Sequence, residues 1–187
     1  MTTTQTATTR ELTGTYALDP SHTRIGFAAR HAMVTTVRGA FTEFDGTAYL
    51  DGADPSRSTA TLVIKAASLS TGNADRDAHV LGADFLDTAV FPEIRFASTS
   101  AERLDEETYR MTGDLTIKDV TRPVSVDFTY VGAAQDPFGN ARVGFEGSTR
   151  ISRKDWGLTW NVALEAGGIL VSDKVTLEFD VSAVRQA

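Results

Sequence analysis

Cysteine is absent from all 187 residues of this chain. Without a thiol the protein has no disulfide, no thiolate metal site and no cysteine nucleophile. The chain also lacks any run of about 18 consecutive apolar residues, so we predict no transmembrane helix. Its first residues, MTTTQTATTREL, contain neither a basic region nor an apolar core of the signal-peptide type. We therefore expect a cytoplasmic location.

Positive charge is scarce, since 18 Lys and Arg stand against 25 Asp and Glu and give a formal net charge of -7. An acidic surface repels nucleic acid and anionic membranes, so neither is expected as a partner. Only three histidines occur: His22, His31 and His79. They do not share a helical face, and His22 and His31 have opposite parity on one strand. No metal or cofactor is expected; His22 should support a turn, and His79 should orient its segment through a hydrogen bond.

Alternation of apolar and polar residues is the main pattern, and it predicts β-strands. It is clearest over 109–118, where the apolar face consists of Tyr109, Met111, Gly113, Leu115 and Ile117. The segments 124–130 and 174–181 alternate in the same way, with one apolar and one polar face, as in antiparallel sheets. Less regular strands are predicted over 14–18, 22–31, 37–50, 57–67, 93–103 and 141–153.

Two segments depart from this pattern. Within 37–50 the parity changes, because Phe41 and Phe44 cannot share one face of a regular strand, so a bulge or a bend is expected there. Residues 72–91 do not alternate, and Asn73 or Asp75 is placed to cap a short helix in this insert. We expect a disordered tail over 1–12 and one folded domain over 13–187.

About eight or nine amphipathic strands with short connections predict an all-β protein with a single antiparallel barrel or sandwich. An interior of about eight strands is either filled by side chains or holds one small ligand. Small residues on the predicted inner faces favour open space, namely Ala29, Ala60, Gly113 and Gly147. Trp156 and Trp160, in an irregular stretch, are expected to plug one end of the barrel or flank its mouth.

Four motifs occur in a characteristic order: DPSHTRIGFAARH at 19–31 with MVTTVRGAF at 33–41, NADRDAHVLGADFLDTAVFPEIRF at 73–96, GDLTIKDVTRPVSV at 113–126, and ISRKDWGLTW at 151–160. Together they resemble the YceI family of lipid-binding proteins, from about Gly14 to Val184. The resemblance implies a lipocalin-like barrel of eight antiparallel strands around a long tunnel. It further implies a polyprenyl lipid, an isoprenoid quinone or a related amphiphile as the ligand.

The predicted function is therefore to carry or store a long apolar amphiphile inside the barrel, without catalysis. A fatty acid or another small hydrophobic ligand is the alternative occupant, and a homodimer remains open. The predicted ligand-binding residues combine inward-facing strand positions with positions from the insert 72–91 and from a second irregular stretch, 154–170: Ile25, Phe27, Leu62, Ile64, Arg76, His79, Phe85, Phe96, Met111, Leu115, Val126, Phe128, Phe145, Trp160, Leu177 and Phe179.

Arg76, Asp77 and His79 match the R-D-x-H pattern of the family, and two roles are open for them. They either contact the polar head of the ligand at the barrel mouth, or they form a network that pins the insert to the barrel. A small hydrolase using these three residues is the enzymatic alternative. The sequence otherwise shows no nucleophile elbow, phosphate-binding glycine loop or helical metal motif.

Overall fold

A computed structural model describes residues 9–187 of the protein and shows an antiparallel β-barrel with one short α-helix. The strands are β1 (Gly14–Leu18), β2 (Arg24–His31), β3 (Thr35–Phe41), β4 (Phe44–Leu50), β5 (Thr59–Lys65), β6 (Leu69–Ser70), β7 (Glu93–Arg103), β8 (Thr108–Ile117), β9 (Val120–Gln135), β10 (Ala141–Ser152) and β11 (Val171–Arg185). The helix α1 spans Ala74–Leu81.

Eight strands close the barrel in the order β1-β4-β5-β7-β8-β9-β10-β11, with β11 pairing back onto β1. The long strand β11 makes the closure possible. One of its edges pairs with β1 near Arg185 and then with β2 from Asp180 to Val171, while its other edge pairs with β10. The strands β3 and β6 extend the sheet beyond β2. The predicted all-β, eight-stranded barrel is confirmed.

The strand pairing defines two ends of the barrel. At one end the β2–β3 hairpin at 32–34 and the helix α1 both contact the segment 157–170, and we call this the helix end. The opposite end carries the start of β1, the end of β11, and the turns near 104–107 and 136–140. We call it the terminal end. Because β-strands rise about 3.3 Å per residue, the 12-residue strand β10 spans roughly 40 Å between the two ends.

The predicted break in 37–50 separates two strands rather than bending one. The chain bends at Thr42, and β3 and β4 then pair with different partners, β3 with β2 and β4 with β1 and β5. The change of parity has a physical cause, because Phe41 faces the interior from β3 and Phe44 is buried from β4. The bend lets both aromatic rings avoid solvent. The short strand β6 was missed, since two residues carry no detectable alternation.

The predicted helical insert is α1, and Asn73 is its N-cap. The Asn73 side chain accepts a hydrogen bond from the Arg76 backbone N–H at 2.9 Å, which satisfies an amide that has no partner within the helix. Asp75 lies in the first turn, where a carboxylate interacts favourably with the helix dipole. None of the described helices is long and apolar enough to cross a bilayer.

The expected tail over 1–12 lies mostly outside the described residues, which begin at residue 9. Residues Thr9–Leu12 form a 3₁₀ turn, and the Leu12 side chain is buried. Leu12 packs in a small apolar cluster with Tyr16, Val143 and Ala183 at the terminal end. This cluster is separate from the main core, whose residues line the middle and the helix end of the barrel.

Candidate functional site

The barrel encloses a cavity of about 1010 Å³, which is at the upper end of the range for small-molecule sites, about 300–1,000 Å³. Its wall is formed mainly by aliphatic and aromatic side chains of the inner strand faces. All sixteen side chains predicted to contact ligand lie on this wall: Ile25, Phe27, Leu62, Ile64, Arg76, His79, Phe85, Phe96, Met111, Leu115, Val126, Phe128, Phe145, Trp160, Leu177 and Phe179. Their contact with a ligand stays a prediction.

The small residues of the inner faces do not all leave open space. Ala29 and Ala60 line the cavity as expected. Gly113 and Gly147 instead allow neighbouring aromatic rings to lie flat against the backbone. A Cβ atom at Gly147 would approach the Phe128 ring to 2.8 Å, and one at Gly113 would overlap the Phe96 ring. The expectation of open space at these two glycines was therefore wrong, because the adjacent aromatic rings occupy it.

At the helix end, Arg76 and Asp77 are joined through Thr71 rather than to each other. Asp77 accepts hydrogen bonds from the Thr71 backbone N–H at 2.9 Å and from its hydroxyl at 2.5 Å. Arg76 donates through Nε to the Thr71 hydroxyl at 2.7 Å and through Nη2 to the Thr71 carbonyl at 3.0 Å. This network pins α1 to the chain that leaves β6. Contact of Arg76 with a ligand head group stays a prediction.

His79 orients the insert through a hydrogen bond between its Nε2 and Asp84 at 2.9 Å, as the sequence predicted. Its ring also stacks edge-on against Trp160 and Phe85, with centroid distances of 4.6 and 5.2 Å. These three rings form an aromatic wall at the helix end of the cavity. Trp160 thus flanks the cavity, whereas Trp156 is buried elsewhere and donates to the Leu115 carbonyl at 3.0 Å.

Arg153 is a cavity-wall residue that the sequence prediction missed. Its guanidinium is almost fully buried and donates to the carbonyls of Ser172 at 2.9 Å, Leu158 at 2.5 Å and Val171 at 3.3 Å. Burial lowers the pKa of Arg153, and the nearby Asp173 carboxylate opposes that shift. The sequence contained a signal for this position. Arg153 has the same parity as Ile151, which faces the cavity, so the alternation directs the charged Arg153 side chain inward.

The terminal end of the cavity carries three tyrosines: Tyr16, Tyr109 and Tyr130. Tyr16 donates to the Leu12 carbonyl at 2.9 Å. Burial raises the pKa of Tyr16, and burial together with the neighbouring tyrosines raises that of Tyr130. These two phenols are therefore neutral hydrogen-bonding groups at neutral pH. The alternation had placed Tyr109 and Tyr130 on inner faces, but their hydroxyls were not recognised as part of a site.

The remaining polar residues singled out from the sequence make local contacts. His22 supports a turn through its Nδ1 atom, which lies 2.7 Å from Asp19. Within residues 9–187 no three His, Asp or Glu side chains lie close enough to hold a metal ion. The hydrolase alternative required Arg76, Asp77 and His79 to surround one reacting group. In the structure the first two contact Thr71, whereas His79 contacts Asp84.

Residues 16–183 match the sequence profile of the YceI-like domain. The chain belongs to the YceI family. The UPF0312 protein of Pseudomonas savastanoi pv. phaseolicola is 37% identical over 145 residues, which is 76% of each chain. The resemblance inferred from the four motifs is thereby confirmed.

Solved structures support the same YceI-like fold. The crystal structure of BcnA from Burkholderia cenocepacia superposes with a TM-score of 0.76 at 23% identity, covering 88% of this chain and 98% of BcnA. A polyisoprenoid binding domain from Saccharophagus degradans superposes with a TM-score of 0.68 at 14% identity, covering 91% of this chain and 98% of that domain. This YceI-family chain is therefore an eight-stranded barrel around a largely apolar cavity.

Proposed function

We propose that this protein carries or stores a polyisoprenoid lipid, with the isoprenoid chain extended inside the barrel and without catalysis. The observation that carries the proposal is the continuous apolar cavity of about 1010 Å³ between the two barrel ends. Each methylene group moved from water into such a cavity contributes about 0.8 kcal/mol. About ten such groups would contribute roughly 8 kcal/mol before the cost of ordering the chain.

The lining of the cavity supports a hydrocarbon chain. The rings of Phe27, Phe96 and Phe128 lie against glycines of neighbouring strands and form part of its apolar wall. A hydrocarbon gains dispersion contacts along such a wall. The polyisoprenoid binding domain from Saccharophagus degradans, which has the same fold, supports the choice of an isoprenoid chain.

Organic extraction of the purified protein followed by mass spectrometry tests the proposal. We expect a bound lipid whose fragments repeat at the mass of an isoprene unit. An extract with only straight-chain fatty acids would reject the isoprenoid and retain the hydrophobic carrier. Protein that stays empty after incubation with both lipid classes would reject the carrier itself. The cytoplasmic location stays a prediction that cell fractionation would test.

A further inference from the structure

Two hairpin tips at the helix end of the barrel carry exposed apolar side chains. In the turn between β2 and β3, Met33 is 64% exposed and Val34 is 75% exposed. The hairpin 162–170 has the sequence VALEAGGIL, in which Glu165 is the one charged residue, and its Val162 is 45% exposed. We call Met33, Val34 and Val162 the tip patch. Contiguous exposed apolar side chains are typical of interaction surfaces, whereas scattered single ones are not.

Direct contacts join the two tips into one surface. The Leu170 carbonyl accepts a hydrogen bond from the Ala32 N–H at 2.7 Å, and the Leu170 N–H donates to the Val162 carbonyl at 2.9 Å. The Met33 sulfur lies over Gly168, where an added Cβ atom would come within 2.5 Å of it. The tip patch is therefore contiguous, although its residues are far apart in the sequence.

The turn that presents Met33 and Val34 has a strained backbone. Ala32 and Met33 have φ angles of 49° and 62°, and the Val34 N–H closes the turn by donating to the His31 carbonyl at 3.1 Å. Positive φ at both central positions favours asparagine or glycine, and other residues there cost free energy. An exposed methionine recovers little of that cost through packing. Such retained strain is typical of functional segments.

The tip patch adjoins an opening of the cavity. His31, Thr35 and His79 line the cavity and are also exposed to solvent, so the cavity opens between the β2–β3 hairpin and α1. Leu170, which joins the two tips, is itself part of the cavity wall. A molecule that enters or leaves through this opening passes beside the tip patch.

Two cations lie behind the tips. Arg30 and Lys174 are exposed and are joined through Ser172, whose hydroxyl accepts from the Arg30 N–H at 3.1 Å and donates to the Lys174 carbonyl at 2.7 Å. Among the residues that the structure describes, neither cation has an ion-pair partner. Apolar tips with basic side chains behind them match a phospholipid surface, where phosphates lie outside the hydrocarbon.

The terminal end presents a different surface. Phe138 is 88% exposed there, but the turn 104–107 at the same end contributes the carboxylates of Asp105, Glu106 and Glu107. Carboxylates repel lipid phosphates, so this end matches a phospholipid surface less well than the helix end does. Phe138 therefore provides a matched control, as an exposed apolar side chain at the opposite end of the barrel.

We propose that the tip patch is a membrane-docking surface, which inserts into the head-group boundary of a phospholipid bilayer and brings Arg30 and Lys174 to the phosphates. Docking through apolar tips requires no anionic lipid, which agrees with the net charge of -7. It places the cavity opening at the bilayer, so that an apolar ligand passes between bilayer and barrel without crossing water. This consequence rests on the proposed function, whereas docking is measured independently of it.

Flotation with phosphatidylcholine vesicles tests the docking. The proteins are the wild type, the double variant Met33→Asn/Val34→Thr, and the control Phe138→Ser. Asparagine adopts positive φ more readily than methionine, and threonine keeps the β-branched shape of valine. The double variant should therefore fold at least as stably as the wild type, which a thermal melt checks, while it loses two of the three apolar side chains of the tip patch.

We expect the double variant to bind the vesicles roughly tenfold more weakly, because it buries less apolar surface in the bilayer. Phe138→Ser should match the wild type, and binding of the wild type should persist at raised salt. Because the chain has no cysteine, Val34→Cys and Phe138→Cys each provide a single labelling site. With an environment-sensitive fluorophore, the emission at position 34 alone should shift to the blue on addition of vesicles.

A wild type that does not float with phosphatidylcholine vesicles would overturn the inference, as would equal binding by the double variant. A loss of binding confined to Phe138→Ser would place the docking surface at the terminal end and also overturn it. Binding that requires anionic phosphatidylglycerol and disappears at raised salt would reject docking through apolar tips.

Thermal melts with the isoprenoid hydrocarbon squalene distinguish this inference from the proposed function. If squalene raises the Tm of a wild type that does not bind vesicles, docking is rejected and the carrier function is retained. If the wild type binds vesicles through the tip patch and squalene leaves its Tm unchanged, the proposed carrier is contradicted and docking is retained.

Discussion

At the scale of single residues, the buried Arg153 shows how a charge can be held in an apolar interior. Its guanidinium satisfies three backbone carbonyls of the segment 158–172 and lies within 3.7 Å of Asp173. The ring of Phe85 covers it, with a centroid distance of 5.9 Å. Arg153 thereby fixes the irregular segment that carries Trp160 to the cavity wall.

Replacing Arg153 with methionine should lower the free energy of unfolding by about 3 kcal/mol, because the carbonyls and Asp173 lose a buried cationic partner. Urea unfolding measures this change. The control is Lys154→Met, since Lys154 is exposed and its Nζ lies 3.1 Å from the same Asp173. The Lys154→Met control should lower the free energy of unfolding by less than about 1 kcal/mol. Equal losses in the two variants would show that the interior contacts of Arg153 contribute nothing.

The strand glycines Gly113 and Gly144 differ in how closely neighbouring atoms approach them. Gly113→Ala should destabilise the barrel by about 1–3 kcal/mol, because the new Cβ atom would overlap the Phe96 ring and lie 2.5 Å from the Ala97 carbonyl oxygen. Gly144→Ala is the matched control on a neighbouring part of the sheet, where the nearest atom would lie 3.6 Å away. Urea unfolding should separate the two; a similar change in both variants would contradict the steric explanation.

At the scale of elements, Arg142 ties three parts of the barrel together at the terminal end. From β10 it pairs with Asp19, in the turn after β1, at 2.6 Å and with Asp136, in the β9–β10 turn, at 2.8 Å. Hydrogen bonds from Ser21, Arg142 and His22 hold the pKa of Asp19 well below its usual range. Asn140 and then Arg142 do the same for the pKa of Asp136.

These lowered pKa values predict how stability depends on pH. A carboxylate whose pKa is lower in the folded state stabilises that state fully above its unfolded pKa of about 4, and the contribution is lost as the pH falls towards the folded value. Arg142→Gln should therefore reduce stability at pH 7 and reduce the further loss below about pH 4.

Urea unfolding at a series of pH values measures both effects of the Arg142→Gln change. Arg122→Gln is the control, because Arg122 donates to the Asp155 backbone carbonyl rather than to a carboxylate. The Arg142→Gln curve should converge with the wild-type curve in acid, while the control should stay parallel to the wild type. Parallel curves for all three proteins would contradict the assignment of the acid sensitivity to Asp19 and Asp136.

The Thr71 hydroxyl is one of the groups that hold helix α1, since it contacts both Asp77 and Arg76. Thr71→Val should increase amide exchange of residues 71–91 by about tenfold, because the loss of these hydrogen bonds favours local opening. Hydrogen-exchange mass spectrometry measures this change. Thr99→Val is the control, since the exposed Thr99 hydroxyl contacts only a strand carbonyl outside the helix region. Unchanged exchange over 71–91 would show that the network does not hold the helix.

At the scale of the whole molecule, the barrel encloses a cavity where most domains have a packed core. A ligand that fills it should stabilise the folded state. At a free ligand concentration of about 100 times Kd the gain is about 2.7 kcal/mol, or a rise in Tm of about 5–10 °C. Squalene should therefore raise the Tm of the wild type in a thermal melt.

Leu115→Trp should remove this stabilisation, because Leu115 lines the cavity and an indole ring there would fill part of it. Val131→Trp adds the same ring at a position that is 61% exposed on β9, and its Tm should still rise with squalene. Circular dichroism of both variants should remain dominated by strand. An unchanged squalene response in Leu115→Trp would contradict the position of the lipid.

The sequence by itself determined the strands and their inner faces, because burial of one face imposes a period of two that is visible in the residue order. For that reason the inward positions from Ile25 to Phe179 could be named without a structure, and the four motifs indicated the family. Asn73 was readable as a helix cap because capping is local.

The tertiary structure alone decided the features that depend on residues distant in the chain. Alternation does not encode which strands pair, so the different partners of β3 and β4 were not predictable. The space above Gly113 and Gly147 depends on rings from neighbouring strands, and pairing register places those rings. Thr71, rather than an ion pair, links Arg76 and Asp77. The meeting of Tyr16, Tyr109 and Tyr130 at one end likewise required barrel closure, because β4, β5 and β7 separate β1 from β8 in the sheet and only the curved, closed sheet brings their inner faces together.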